Sequence, residues 1–210
     1  LMSFGMFGSI FLLVQFLQFA RLYSPLEAGL AILPWTLAPI VVAPIAGAMS
    51  DRIGGGLLMG TGLSLQALGL AWLGLISSTT VGYLEMVVPF IISGVGMGLF
   101  FAPMANVILS SVRPSEEGKA SGASSAMREL GGVFGVAVLA AIFVREGSYQ
   151  SPQAFTDGMV PAVLVGAAFV ALGAAAAFLI PRAEERPEEL AEPAVGGRPA
   201  ATAAYATADE

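Results

Sequence analysis

The sequence predicts an all-α membrane protein built from six transmembrane helices. Three observations carry this. Of 210 residues, 56% are hydrophobic and 11% charged, against roughly 25% charged in a soluble domain. The mean hydropathy is +0.81, more apolar surface than a soluble core absorbs. The apolar residues are also gathered into charge-free runs, most of them reaching the ~20 residues that cross a bilayer.

The first run, Leu1–Ala20, predicts a span near 2–22. No initiator Met, charged leader or cleavage motif stands ahead of it, so an upstream portion is expected to be missing. Ser24-Pro25-Leu26-Glu27 then has the chemistry of a helix start, a capping serine with proline at the first helical position. The second span follows near 28–50 and holds Pro34, Pro39 and Pro44. Each removes a backbone donor, which membrane helices tolerate where neighbours or water serve the freed carbonyls. Two readings fit: a bent packing helix, or a flexible helix beside a solvated path.

Gly47 to Gly54 predicts a short turn at the membrane surface, with Asp51 and Arg52 among glycines. Gly54-Gly55-Gly56 allows backbone conformations closed to other residues. A third span is expected near 55–77 and a fourth near 85–110. In the fourth, Gly94-Val95-Gly96-Met97-Gly98 sits mid-span after no polar turn, so it reads as helix packing and not as a phosphate loop. Gly94 and Gly98 have the i, i+4 spacing of close helix approach, and Gly131, Gly132 and Gly135 read the same way. The fifth span is expected near 123–144 and the sixth near 159–180, joined by a polar loop from Gly147 to Gly158. Seven of the fifteen acids follow Pro181. The Ala-, Pro- and Glu-rich stretch 182–210 is therefore expected to be a disordered acidic tail.

Basic residues set the orientation. Arg21 and Arg145 mark one face; Arg52, Arg113, Lys119, Arg128, Arg182 and Arg186 mark the other, six against two. The second face is read as cytoplasmic, with the tail on that side of a plasma (inner) membrane.

The chain has no cysteine and no histidine. Disulfides are excluded, as are the usual zinc ligands and nucleophile–base pairs, so neither an enzyme nor a bound metal or cofactor is expected. No basic stripe exists for nucleic acid. The polar residues inside the spans are more informative. Gln15 and Gln18 share a helical face, and Phe11, Gln15 and Phe19 recur at i, i+4. Asn106 follows Phe100, Phe101 and Pro103. These amides serve either as interhelical glue or as a cavity wall for amphipathic molecules, with Pro34, Trp35, Met97, Phe101 and Met104 as adaptable apolar surface. Glu85 and Glu129 stand at span ends, with Arg113 and Arg128 as further end charges. Arg128 and Glu129 are adjacent and so point in different directions.

Gly47-x-x-x-Asp51-Arg52-x-Gly54 resembles the loop signature of the major facilitator superfamily. Gly55 and Gly56 replace its usual basic pair, which makes it similar to the copy in the second half of such proteins. Three further stretches resemble the fourteen-span drug:proton antiporter branch (the EmrB/QacA type). They are Ser24–Leu30 leading into Leu33-Pro34, Gly98–Pro103, and Gly118–Gly122 with Arg128–Ala137. Glu129 stands where that branch usually has Gln, and Ala126 where it often has Asn.

The resemblance implies that the six spans form the C-terminal bundle of a proton-coupled exporter of small amphipathic compounds, working by alternating access. It implies partnership with the lipid bilayer and with a missing N-terminal half that carries the coupling acid. It places the first, second, fourth and fifth spans along the cavity, and the third and sixth against lipid. A facilitator exporting a metabolite, siderophore or sugar is the alternative, and a non-transporting membrane scaffold or receptor subunit the alternative from another class. In the exporter, Asp51 would accept bonds at a neighbouring helix N-terminus. Arg52 would pair with a nearby carboxylate, latching one conformer; simple headgroup anchoring is the other reading. Asp51→Asn in the complete protein is expected to lower efflux with membrane insertion intact. Unchanged efflux at normal expression refutes the latch.

Overall fold

The computed structural model describes residues 1–110 and 112–179. The tail at 182–210 and the side chains of Asp51, Leu109 and Ser110 lie outside the described residues. Within them, six helical segments are long and apolar enough to cross a membrane: Met2–Ala20, Pro25–Ser50, Gly55–Ile76, Tyr83–Ile108, Pro114–Glu146 and Pro152–Phe178. No strand is present among the described residues.

The first segment is α1 (Met2–Gln15), which widens into a π-helical turn over Phe16–Ala20. The Arg21 N–H reaches back five residues to the Phe16 carbonyl, at 3.1 Å. Leu22 then ends the segment at φ 57°, a left-handed conformation that costs a side-chain-bearing residue about 1–2 kcal/mol.

The second segment is two helices, α2 (Pro25–Ala31) and α3 (Leu33–Ile53). Ser24 Oγ accepts from the Glu27 N–H at 3.3 Å, and the Glu27 carboxylate accepts from the Ser24 N–H at 2.8 Å, a reciprocal cap. The break at Ile32 follows from Pro34, which has no N–H for the Leu30 carbonyl. Trp35 donates to Ile32 at 2.9 Å. The Ala31 carbonyl instead accepts from the Tyr83 hydroxyl, at 3.3 Å.

The stretch read as a turn from Gly47 to Gly54 is mostly helix. Gly47, Asp51 and Arg52 lie in the last turns of α3, and Gly54 alone separates it from α4 (Gly55–Ile76). Gly54 has φ 96°, and that one residue redirects the chain. Gly55 and Gly56 are helical, with Gly55 packed against Val107.

Then follow α5 (Tyr83–Ser110), α6 (Glu117–Glu146) and α7 (Pro152–Phe178). The fifth span starts at Glu117, well before residue 123, because the small residues Ala120–Ala126 extend the helix outward. With 30 residues, α6 is roughly 45 Å long, more than the ~30 Å hydrocarbon layer. Glu129 therefore stands about three turns inside α6. The reading of Arg128 and Glu129 as helix-end charges is corrected accordingly. Arg113 does sit at a helix start, capping the 3₁₀ turn Pro114–Glu116.

The helices form two groups. α5 lies between α3 and α4; α1, α6 and α7 pack on one another; α4 against α7 joins the groups. Glycines set each seam. Gly94 rests on the Trp35 carbonyl, which Pro39 deprives of its helical donor, and Gly98 meets Pro39 and Val42. Gly96 faces the other way, toward Gly62 and Gln66 of α4. On α1, Gly5 meets Gly166 and Gly8 meets Gly135. A Cβ on Gly96 would lie 2.6 Å from the Gln66 backbone nitrogen, whereas one on Gly29 meets nothing within 4 Å. In the full-length protein in detergent, Gly96→Ala is expected to lower stability by about 1–3 kcal/mol. Gly29→Ala is expected to raise it by about 0.5–1 kcal/mol. Thermal unfolding of the two variants checks the contrast.

Candidate functional site

The residues singled out from the sequence fall into three places. At the end of the bundle where α1 meets the α6–α7 loop, Gln15 Nε2 reaches the Phe11 carbonyl at 3.5 Å and Gln15 Oε1 accepts from the Tyr149 hydroxyl. Phe19 packs edge-on against Tyr149, with ring centroids 5.4 Å apart, and against Phe155 at 5.5 Å. Phe143 completes the group, 4.6 Å from Phe155. Gln15 is thus a tie between a helix and a loop. The wide turn at Phe16–Ala20 changes the helical phase there. Gln15 and Phe19 still meet the same partner, Tyr149, whereas the face expected to be shared by Gln15 and Gln18 assumed an unbroken period of 3.6 residues. Tyr149 was missed because nothing in a polar loop marks one tyrosine as a partner for a glutamine 134 residues away.

The second place lies where the start of α1 meets α5 and α6. Ser3, Phe100, Met104, Ser124, Met127 and Arg128 line a cleft of about 200 Å³ there. The Arg128 guanidinium lies 6.0 Å from the centre of the Phe101 ring, within cation–π range. Met97 is partly buried one turn away on α5, packed against the core.

The third place is a groove of about 420 Å³ further along α1 and α6, lined by Phe7, Glu129, Gly132, Val133, Val136 and Ala137. Phe11 stands exposed one turn beyond Phe7 on α1. Arg128 and Glu129 thus point into different clefts beside the α1–α6 contact.

The remaining candidates stand apart. Trp35 is 1% exposed and stacks on Phe90, with ring centroids 6.0 Å apart. It is a core residue of this bundle, because Gly94 brings α5 onto its backbone. Pro34 is half-buried at the helix break, and Asn106 is exposed on α5. Arg52 is exposed, and the one ion pair among the described residues is Arg145–Glu146, at 3.2 Å. A larger groove of about 560 Å³ between α4 and α7 is lined by alanines, leucines, Phe178 and Ser64, with no charge. No cluster of acidic residues able to hold a metal occurs among the described residues.

The Major Facilitator Superfamily profile matches residues 1–207. The chain belongs to the Major Facilitator Superfamily. Among relatives of this facilitator chain, the multidrug resistance protein Stp of Mycobacterium tuberculosis (strain ATCC 25618 / H37Rv) is 36% identical over 139 residues, 66% of this chain and 26% of Stp. The multidrug efflux pump LfrA of Mycolicibacterium smegmatis (strain ATCC 700084 / mc(2)155) is 31% identical over 173 residues, 82% of this chain and 34% of LfrA. A probable actinorhodin transporter of Streptomyces coelicolor (strain ATCC BAA-471 / A3(2) / M145) is 32% identical over 157 residues, 73% of this chain and 27% of that protein. The facilitator chain thus matches about a quarter to a third of the length of these curated relatives.

As a multi-pass facilitator the chain lies in lipid. The Tyr149–Gln15 bond ties the α6–α7 loop to α1. Tyr149→Phe keeps the ring packing and removes the hydroxyl. It is expected to lower the melting stability of the full-length protein by about 1 kcal/mol, read by thermal unfolding in detergent. Unchanged stability refutes the tie.

Proposed function

We propose that this facilitator chain is the C-terminal six-helix portion of a fourteen-span drug:proton antiporter. The whole protein exports small amphipathic compounds across the plasma membrane by alternating access. The proton gradient is its energy source, and it has no cofactor. The observation that carries this is the exposed surface of α1 and α6, where apolar and aromatic side chains surround very few polar groups. Such a composition holds varied apolar bodies and fixes orientation with one or two contacts. The relatives named for multidrug resistance and efflux support it.

The N-terminal half supplies the opposite wall and the coupling acid. The apolar face of α3, with Leu37, Ile40, Val41 and Ile45 exposed, is available to that half or to lipid. Asp51 and Arg52 act as the cytoplasmic latch, with partners contributed by the rest of the polypeptide, and the tail lies on the same side.

Cells lacking their own pumps and carrying the full-length gene are expected to expel ethidium. A protonophore is expected to bring expulsion down to the level of cells without the gene. Ethidium retention with the protein inserted and the gradient intact refutes the reading. The actinorhodin transporter among the relatives favours a second cargo, an endogenous metabolite. That reading is met when the same cells retain ethidium but secrete a product that gene deletion traps inside.

A further inference from the structure

A hydroxyl on an apolar helix is usually served by its own backbone. Ser64, Ser77 and Thr156 each donate to the carbonyl four residues behind, at 2.8, 2.6 and 2.8 Å. Ser93 does not. Its Oγ is turned onto α4, against Gly69, and is buried without a hydrogen-bond partner. One turn back along α4 stands Gln66, with both the nitrogen and the oxygen of its amide buried and unbonded. Gly96 of α5 rests on the Gln66 backbone. Gln66 thus faces Gly96 while Gly69 faces Ser93, so the two polar side chains stand diagonally across one turn of the seam.

An amide and a hydroxyl sealed in an apolar interior need partners, because nothing in hydrocarbon replaces the bonds that water gave them. Gln66 and Ser93 are both 0% exposed. The chain encloses them by itself, so neither lipid nor another part of the polypeptide touches them while the seam is closed. The partner is therefore small, and it both donates and accepts, since the amide offers N–H groups and a carbonyl side by side. Two neutral oxygens are too few to hold a metal ion. A water molecule meets every requirement, as internal waters make two to four bonds to otherwise unserved groups.

We propose that the α4–α5 seam holds an internal water bound between the Gln66 amide and the Ser93 hydroxyl. Gly69 and Gly96 add no side chains of their own beside it. The bridge fixes the height of α5 on α4. Because the other face of α5 carries α3 through Gly94 and Gly98, one site positions three helices. The proposal rests on the fold alone and holds for any cargo.

The test begins with the structure of the wild-type full-length protein, determined at a resolution that shows ordered water. A density peak about 2.7–3.2 Å from both the Gln66 amide and the Ser93 hydroxyl is expected. Dry packing there overturns the proposal, as does a direct bond between the two side chains. A double-mutant cycle, read by thermal unfolding in detergent, then measures the tie. Gln66→Met and Ser93→Ala are each expected to lower the melting temperature, since each leaves the water and the other side chain short of a partner. The double variant is expected to melt no lower than the less stable single one. Ser9→Ala is the control. Ser9 Oγ is also buried and unbonded, but it lies on α1 against Gly166, so its effect is expected to add to that of Gln66→Met. Additive shifts for Gln66→Met and Ser93→Ala overturn the proposal, and so does a Gln66→Met protein that melts at or above the wild-type temperature.

Discussion

Backbone-to-backbone approach through glycine is the constraint on which the bundle depends. Lipid tails are as apolar as leucine, so burying hydrocarbon gives two membrane helices little reason to associate; close packing must supply it. Two helices carry most of this duty. α5 sends Gly94 and Gly98 toward α3 and Gly96 toward α4. α1 sends Gly5 toward α7 and Gly8 toward α6. Each is clasped from two sides, and the clefts lie where these seams diverge. The groove that holds Glu129 exists because Gly132 lets the Phe7 ring settle against α6.

Proline and glycine act together along the second span. Pro34 and Pro39 withdraw donors from the Leu30 and Trp35 carbonyls, and the helix shifts to 3₁₀-like bonding at Ile32. The Tyr83 hydroxyl serves the Ala31 carbonyl, and Gly94 covers the Trp35 carbonyl. In a medium without water, a donor such as the Tyr83 hydroxyl decides whether a broken helix is tolerated. The π-helical turn at Phe16–Ala20 and the left-handed Leu22 are a comparable irregularity at the end of α1. There the aromatic group of Phe19, Phe143, Tyr149 and Phe155 packs around the altered turn.

The six membrane-spanning helices were legible from run length, because charge is so costly in hydrocarbon that a run of about twenty residues without it points to a bilayer. The Gly94–Gly98 seam was legible for a similar reason, since i, i+4 spacing has one geometric meaning on a helix. The role of Gly96 was not, because the sequence does not say which neighbour each face meets. Trp35 illustrates the same limit: an aromatic residue beside a proline suits a cavity wall as well as a core, and only the approach of α5 decides. The different directions of Arg128 and Glu129 followed from adjacency alone. Their depth did not, because small residues such as those at 120–126 extend a helix without lengthening its apolar signal. The pairing of Gln15 with Tyr149 depended on a loop conformation that no local pattern encodes.

The junction at Gly54 has a mechanical consequence. Hydrogen bonds run up to it and onward from it: its N–H donates to Ser50 at 3.0 Å, and its carbonyl accepts from Leu58 at 3.3 Å. A link of one residue stores no slack, so any tilt of α3 is handed to the start of α4 almost undiminished. The other end of the same span is built differently, with a break at Ile32 and a separately capped α2 that can absorb displacement. The second span is therefore a lever with one stiff joint and one compliant joint. Along its length the lever rests on α5, and it meets α4 directly only at the Gly54 joint.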